Sequence, residues 1–188
     1  MTDIKADVWF ASLVWQTSLD IDTTPLKDLS YTLQRQGNSV ELTNQGGWQS
    51  TSLALETPEM RHFVSVLEGV VDQCCASVEL PKLRFQNAWL NINPKGAYNT
   101  LHNHHGGILS GVYYIEANED MGAIEFLRDD DMQYYMPGLK KYNQFSSQKA
   151  VYKPLTGKLL IFPSWLKHQV LMNNTENDRI SLSFNYGA

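Results

Sequence analysis

The rhythm of apolar and polar positions changes once along the chain, near residue 83. Before that point the clearest period is helical. Met60, Phe63, Val64, Leu67, Val70, Val71, Cys74 and Val78 recur at spacings of three and four, which places them on one face of a helix. Thr57-Pro58-Glu59 supplies a cap followed by proline at the first helical position, and Pro81 ends the segment. A shorter helix opens the same way, with Thr24 as cap before Pro25. It carries Leu26, Leu29 and Leu33 as an apolar stripe and stops before Gly37. Upstream, residues 8–15 (VWFASLVW) are apolar and β-prone and read as a first strand. Residues 38–56 hold turn formers with little periodicity and read as a structured loop.

From residue 83 onward short β-prone runs alternate with turn residues: LRFQNAWLNI, ILSGVYYIEA, GAIEFL, KLLIFP, HQVLM and RISLSFNY. That spacing predicts an antiparallel sandwich or barrel. The expectation is a mainly β fold with flanking helices, in one domain spanning 1–188. Residues 1–82 would give the N-terminal strand and supporting helices, and residues 83–188 the β-roll core.

Composition narrows the function classes. The net charge is −5 and no run of Lys or Arg stands out, which argues against a nucleic-acid partner. No apolar run reaches 18 residues, so no bilayer span is predicted. The N-terminus lacks the basic-then-apolar pattern of a secretion signal. The two cysteines, Cys74 and Cys75, are adjacent and inside the helical pattern, which predicts buried thiols and no disulfide. A cytoplasmic protein with a small-molecule or peptide substrate is the expectation.

Of the five histidines, three fall within four residues: His102, His104 and His105. A fourth, His168, lies 66 residues further on, after an apolar run. In a strand, His102 and His104 would share one face and His105 would point the other way. Two imidazoles so spaced can grip one metal ion if a neighbouring strand brings a third ligand, and His168 is placed to be it. Clustered histidines also occur on solvated turns, and His62, on the polar side of the second helix, reads as surface. Arg179 follows His168 by eleven residues across the polar turn NNTEND. If that turn is a hairpin, Arg179 returns beside His168, with Ser181 on the same face. A guanidinium with a hydroxyl alongside suits a carboxylate. The alternative is a surface ion pair of Arg179 with Asp178 or Glu176.

His102-x-His104 before SGVYYI, then GKLLIFPSWLKH ending at His168, then Arg179-x-Ser181, resembles the Fe(II)/2-oxoglutarate-dependent oxygenase superfamily. More narrowly, the chain resembles a subfamily with an N-P-x-G … H-x-H … L-S-G-V-Y-Y pattern, and GGWQS at 46–50 is similar to it too. The resemblance implies a double-stranded β-helix (jelly roll, cupin-like) with Fe(II), 2-oxoglutarate as co-substrate, and O2. It implies His102 and His168 as iron ligands and Arg179 with Ser181 on the remote carboxylate of 2-oxoglutarate. It further implies Tyr114 on that same carboxylate, and Asn91 and Asn93 facing co-substrate or substrate. The activity implied is hydroxylation of a C–H bond. The superfamily's usual H-x-D or H-x-E is here H-x-H, so the third ligand is either His104 or a carboxylate such as Glu125 or Asp129; the spacing favours His104. Three-histidine sites also occur in cupin-like dioxygenases that use no 2-oxoglutarate, and a metal-binding β-roll without catalysis is the remaining alternative.

Overall fold

The computed structural model describes residues 4–53, 55, 57–130 and 141–188. Among these residues two helices form, α1 (Thr24–Gln36) and α2 (Pro58–Ser77). The strands are β1 (Trp15–Ser18), β2 (Asn44–Gln45), β3 (Trp48–Gln49), β4 (Arg84–Asn93), β5 (Tyr98–His102) and β6 (Leu109–Glu116). After them come β7 (Ile124–Leu127), β8 (Lys149–Tyr152), β9 (Lys158–Pro163), β10 (His168–Val170) and β11 (Arg179–Gly187). They pair antiparallel in two sheets, in the orders β1-β9-β6-β11-β4-β3 and β2-β5-β10-β7-β8. This is the double-stranded β-helix that the sequence predicted.

The six-stranded sheet has two different faces, and strand alternation makes them. On β11, Ile180, Leu182, Phe184 and Tyr186 join Phe63, Leu67 and Val71 of α2 in one large core. The intervening Arg179, Ser181, Ser183 and Asn185 turn toward the other sheet, into a cavity. Strand β4 repeats the pattern, with Ala88, Leu90 and Ile92 in the helix-side core and Asn87, Trp89, Asn91 and Asn93 on the cavity. A polar residue at every second position here marks an internal wall. A smaller apolar cluster lies between the sheets and includes Val112, Tyr114, Ile124, Phe126 and Phe162.

Several elements differ from the expectation. The first strand covers 15–18 rather than 8–15, and Trp9 and Phe10 are exposed. Strand β1 pairs only with residues 158–161 of β9, and Pro163, two residues on, has no amide hydrogen to extend the ladder. Helix α1 caps on Thr23 rather than Thr24, without a side-chain bond, whereas Thr57 does cap α2 by accepting from the Met60 N–H. Helix α2 ends at Ser77, before Pro81, and Glu79 just past it adopts a positive φ of 57°. The stretch read as loop, 38–56, holds the short strands β2 and β3. Strands β5 and β8 went unpredicted because both are short and mostly exposed, so neither YNTLH nor KAVY carries a regular apolar alternation. Cys74 and Cys75 are buried free thiols, as expected. No helix among the described residues is long and apolar enough to cross a membrane.

Candidate active site

The histidines come together from two segments. His102 ends β5 and stands directly across from His168, the first residue of β10. His104 lies past the end of β5, in the following turn, so the two do not alternate along one strand as expected. It reaches the same point because its backbone N–H donates to the Ser164 carbonyl, which docks the turn against the end of β9. The ring centroids are 4.3 Å apart for His102 and His168, 5.0 Å for His104 and His168, and 5.3 Å for His102 and His104. One nitrogen from each ring lies within 4.8 Å of the others. His105 is exposed at the cavity rim, and His62 is on the surface.

Each Nδ1 already has a partner. In His102 it meets the Thr100 carbonyl at 2.7 Å, and in His168 the Leu166 carbonyl at 2.9 Å. In His104 it meets Ser110 Oγ at 2.8 Å and Asn185 Oδ1 at 3.0 Å. A carbonyl can only accept, so Nδ1 of His102 and of His168 carries the hydrogen and Nε2 keeps its lone pair. Burial, reinforced by the mutual repulsion of the rings, pulls His168 down to about 3 and His104 to about 4, and burial lowers His102 as well. Three clustered neutral imidazoles, with Nε2 free on His102 and His168, are a donor set for a divalent transition metal.

The carboxylates considered as alternatives face elsewhere. Glu125 sits beside Gln169 on β7, on the opposite face from Phe126 and His168, and is held by Lys149 Nζ at 2.5 Å and Gln169 Nε2 at 2.9 Å. Asp129 is paired with Lys167 at 2.8 Å and is exposed.

Arg179 is 1% exposed. It does not arrive by a hairpin from His168. Strand β10 belongs to the five-stranded sheet and β11 to the six-stranded one, so the turn between them carries the chain across the sandwich. Nor does it form the alternative surface pair. Asp178 accepts from the Tyr31 hydroxyl at 2.9 Å, and Glu176 is bound to Lys95. Arg179 Nη1 donates to the carbonyls of Met121, Gly122 (2.9 Å) and Leu171 (3.1 Å). Among the described residues Nη2 has no partner, and neither has the amide nitrogen of Asn93, its cross-strand neighbour. Burial lowers the guanidinium's pKa from its ordinary value, but the group starts high enough to remain a cation. Ser181 and Tyr114 are also cross-strand neighbours, and burial lifts the Tyr114 phenol to about 12, so its hydroxyl stays protonated.

One cavity of about 640 Å3 collects all of these groups: the three histidines, and with them Arg179, Ser181, Tyr114, Asn91 and Asn93. Two glycines make its walls fit. A Cβ on Gly47, in the GGWQS segment, would lie 2.8 Å from Asn93 Nδ2. Gly122 has φ +83°, and a Cβ there would lie 2.2 Å from the Leu171 carbonyl and 2.8 Å from Arg179 Nη1. Sequence reading missed Asn87, Trp89, Ser183 and Asn185, which line the same cavity. The signal was the alternation that had already placed Asn91 with Asn93 and Arg179 with Ser181.

The interior of the β-helix thus joins an imidazole cluster to a buried, half-satisfied arginine in one cavity. The family model described as "Putative 2OG-Fe(II) oxygenase" matches residues 87–185, slightly more than half of the 188-residue chain, and the protein belongs to that family. Similar solved structures share the fold. A Pseudomonas putida prolyl-4-hydroxylase is 17% identical with a TM-score of 0.67, over 93% of this chain and 91% of that one. The non-haem alpha-ketoglutarate-dependent epimerase SnoN from nogalamycin biosynthesis is 12% identical with a TM-score of 0.68, over 93% of this chain and 76% of that one. HygX from Streptomyces hygroscopicus, with nickel and 2-oxoglutarate bound, is 12% identical with a TM-score of 0.63, over 94% and 83%. Among curated proteins the comparison found no match.

Proposed function

We propose that this Fe(II)/2-oxoglutarate-dependent oxygenase hydroxylates a C–H bond of a small-molecule or peptide substrate, with His102, His104 and His168 as the iron ligands. The family membership supports the cofactor and co-substrate, and the three Nε2 atoms left free by the Nδ1 contacts support the ligand set. When bound, iron supplies the activation of O2. The balance is substrate, 2-oxoglutarate and O2 going to hydroxylated substrate, succinate and CO2. The chain's own residues bind and orient. Arg179 takes the remote carboxylate of 2-oxoglutarate through its unpartnered Nη2, with the Asn93 amide, the Ser181 hydroxyl and the protonated Tyr114 hydroxyl as further donors. Asn91 stands two residues along β4 from Asn93, closer to the histidines, where co-substrate and substrate would meet. Val112, Ile124 and Phe162 line the cavity between and keep water from the reacting atoms.

The observation that carries the reading is the buried guanidinium of Arg179, which lines the same cavity as the histidines and whose Nη2 has no partner among the described residues. A buried cation supported only by carbonyl dipoles is costly unless an anion joins it. A 2-oxoglutarate-free dioxygenase or a binding roll gives that cation no role. Arg179→Ala is therefore expected to leave metal binding intact and weaken 2-oxoglutarate by about 30- to several-thousand-fold, equivalent to about 2–5 kcal/mol. Anaerobic titration of the Fe(II) protein, following the visible charge-transfer band of the chelate, measures it. Unchanged 2-oxoglutarate affinity would remove the co-substrate assignment. The whole chain, 1–188, acts in this reading as one domain, and its two buried free thiols suit the cytoplasm.

A further inference from the structure

We infer that Asn185 is a positioning residue that fixes the ring tautomer of His104 and so makes its Nε2 available to the metal, an inference that rests on the three-histidine reading above. His102 and His168 have their tautomers set by backbone carbonyls, which can only accept. His104 has no such partner. Its Nδ1 meets two side chains, Ser110 Oγ at 2.8 Å and Asn185 Oδ1 at 3.0 Å. A serine hydroxyl can donate or accept, so Ser110 alone would permit either tautomer. The asparagine decides, provided its oxygen and not its nitrogen faces the ring.

A row of polar residues across the six-stranded sheet accommodates the amide with its oxygen toward the ring. Asn185 on β11 is the cross-strand neighbour of Asn87 on β4 and of Ser110 on β6. Asn185 Nδ2 donates to Asn87 Oδ1 at 2.9 Å, which turns Oδ1 the other way. That oxygen accepts from Ser110 Oγ at 2.7 Å as well as from His104. Having given its hydrogen to Asn185, Ser110 has only lone pairs left for His104 Nδ1 and for Ser164 Oγ, 2.7 Å away. In this arrangement Ser164 donates to Ser110, and each hydrogen of the row has a partner. Ser110 and Ser164 are buried, Asn185 is 8% exposed, and a Cβ on Gly107 would strike Ser164 Oγ at 2.7 Å, so the row has little room to rearrange. Reversing the Asn185 amide would present two hydrogens to His104 and Ser110. His104 Nδ1 would then accept, Nε2 would carry the hydrogen, and the third metal ligand would be lost. An amide also orients the ring without adding charge, as a carboxylate there would.

Two-dimensional 15N NMR of the imidazole rings in metal-free protein reads the tautomer directly, and wild type is expected to carry the His104 hydrogen on Nδ1. Wild type with that hydrogen on Nε2 would overturn the inference without any variant. Asn185→Ala is expected to give a mixed or reversed His104 tautomer and a 10- to 100-fold loss of Co(II) affinity, measured by chelator competition. Asn185→Asp, which can only accept at both oxygens, is expected to restore the Nδ1–H tautomer and the Co(II) affinity. Asn185→Ala with wild-type tautomer and affinity would overturn the inference, as would Asn185→Asp falling as far as Asn185→Ala. His104→Ala separates the two levels of argument. Unchanged Co(II) affinity in that variant would sink the three-histidine reading itself. A large loss there beside an unaffected Asn185→Ala would sink only the role of Asn185.

Discussion

The two ends of the cavity are finished to different degrees. At the histidine end, every Nδ1 already has a hydrogen-bond partner, and the rings are packed by Trp89 and Phe162 edges at 5.3 and 4.8 Å. What remains free is the set of Nε2 lone pairs, which suits a metal ion and little else. At the arginine end the protein stops short. Arg179 Nη1 is saturated by carbonyls, whereas Nη2 and the Asn93 amide nitrogen are buried with nothing to bind. Unpaired buried donors are uncommon and costly. On the proposed reading, one end would hold a resident ion, and the other would keep part of its hydrogen bonding for a ligand that comes and goes.

Removing a histidine ligand should have the largest effect. His168→Ala or His102→Ala is expected to abolish Fe(II) binding, because two protein ligands hold a labile ion poorly. His105→Ala, at the exposed rim, should leave binding near wild type. Metal analysis after anaerobic desalting checks this, and equal losses in all three variants would contradict the ligand assignment.

Acid should expose the histidine end next. The folded values of His168, His104 and His102 lie below the ordinary histidine value of 6.5, chiefly through burial. The unfolded chain thus takes up protons first. The stability of the metal-free protein should be fully present above about pH 6.5 and fall as pH drops through about 4 toward 3. Urea midpoints across that range measure it, and metal binding should weaken in the same direction, since each ligand must be neutral. A midpoint independent of pH between 6.5 and 4 would contradict the burial of these rings.

At the arginine end the effects should be graded. Asn93→Ala is expected to weaken 2-oxoglutarate by roughly 5- to 30-fold with metal affinity unchanged, the loss of one or two buried hydrogen bonds. Tyr114→Phe should cost least, about 3- to 10-fold, because a single hydroxyl goes and the ring stays packed. Both are read by the same anaerobic titration. A loss of metal affinity in either would erase the contrast between the two ends.

How much of this was legible in the chain depends on the kind of signal. The α2 stripe from Met60 to Cys74 could be read because its buried positions recur at helical spacing, and β4, β6, β9 and β11 because each is a β-prone run bounded by turn residues. The run 8–15 misled for the same reason: it is apolar, yet most of it has no partner edge. His102, His104 and His168 were legible as a cluster by type and spacing, although the geometry that unites them is a strand end plus a docked turn. Arg179 was placed in the right cavity on a wrong premise, since no local pattern says that NNTEND bridges two sheets rather than closing one. The Asn87–Asn185–Ser110 row was invisible because its members lie on three separate strands. Only the register brings them side by side.

The crossing between β10 and β11 gives the site the character of a calliper. One jaw, His168 with His102, is fixed to the five-stranded sheet, and the other, Arg179, to the six-stranded sheet. Their opening is therefore set by whatever spaces the sheets, which face one another at about 10 Å in sandwiches of this kind. Here the spacer is apolar: Ile124, Phe126 and Phe162 with Val112. Phe126 meets Phe162 edge to face at 4.8 Å and lies 5.7 Å from His168 without belonging to either jaw. Trimming or enlarging that filling would re-gauge the tool without touching a single polar contact. On the proposed reading, the choice of 2-oxoglutarate over a diacid one methylene shorter or longer would then depend on the hydrophobic packing between the sheets.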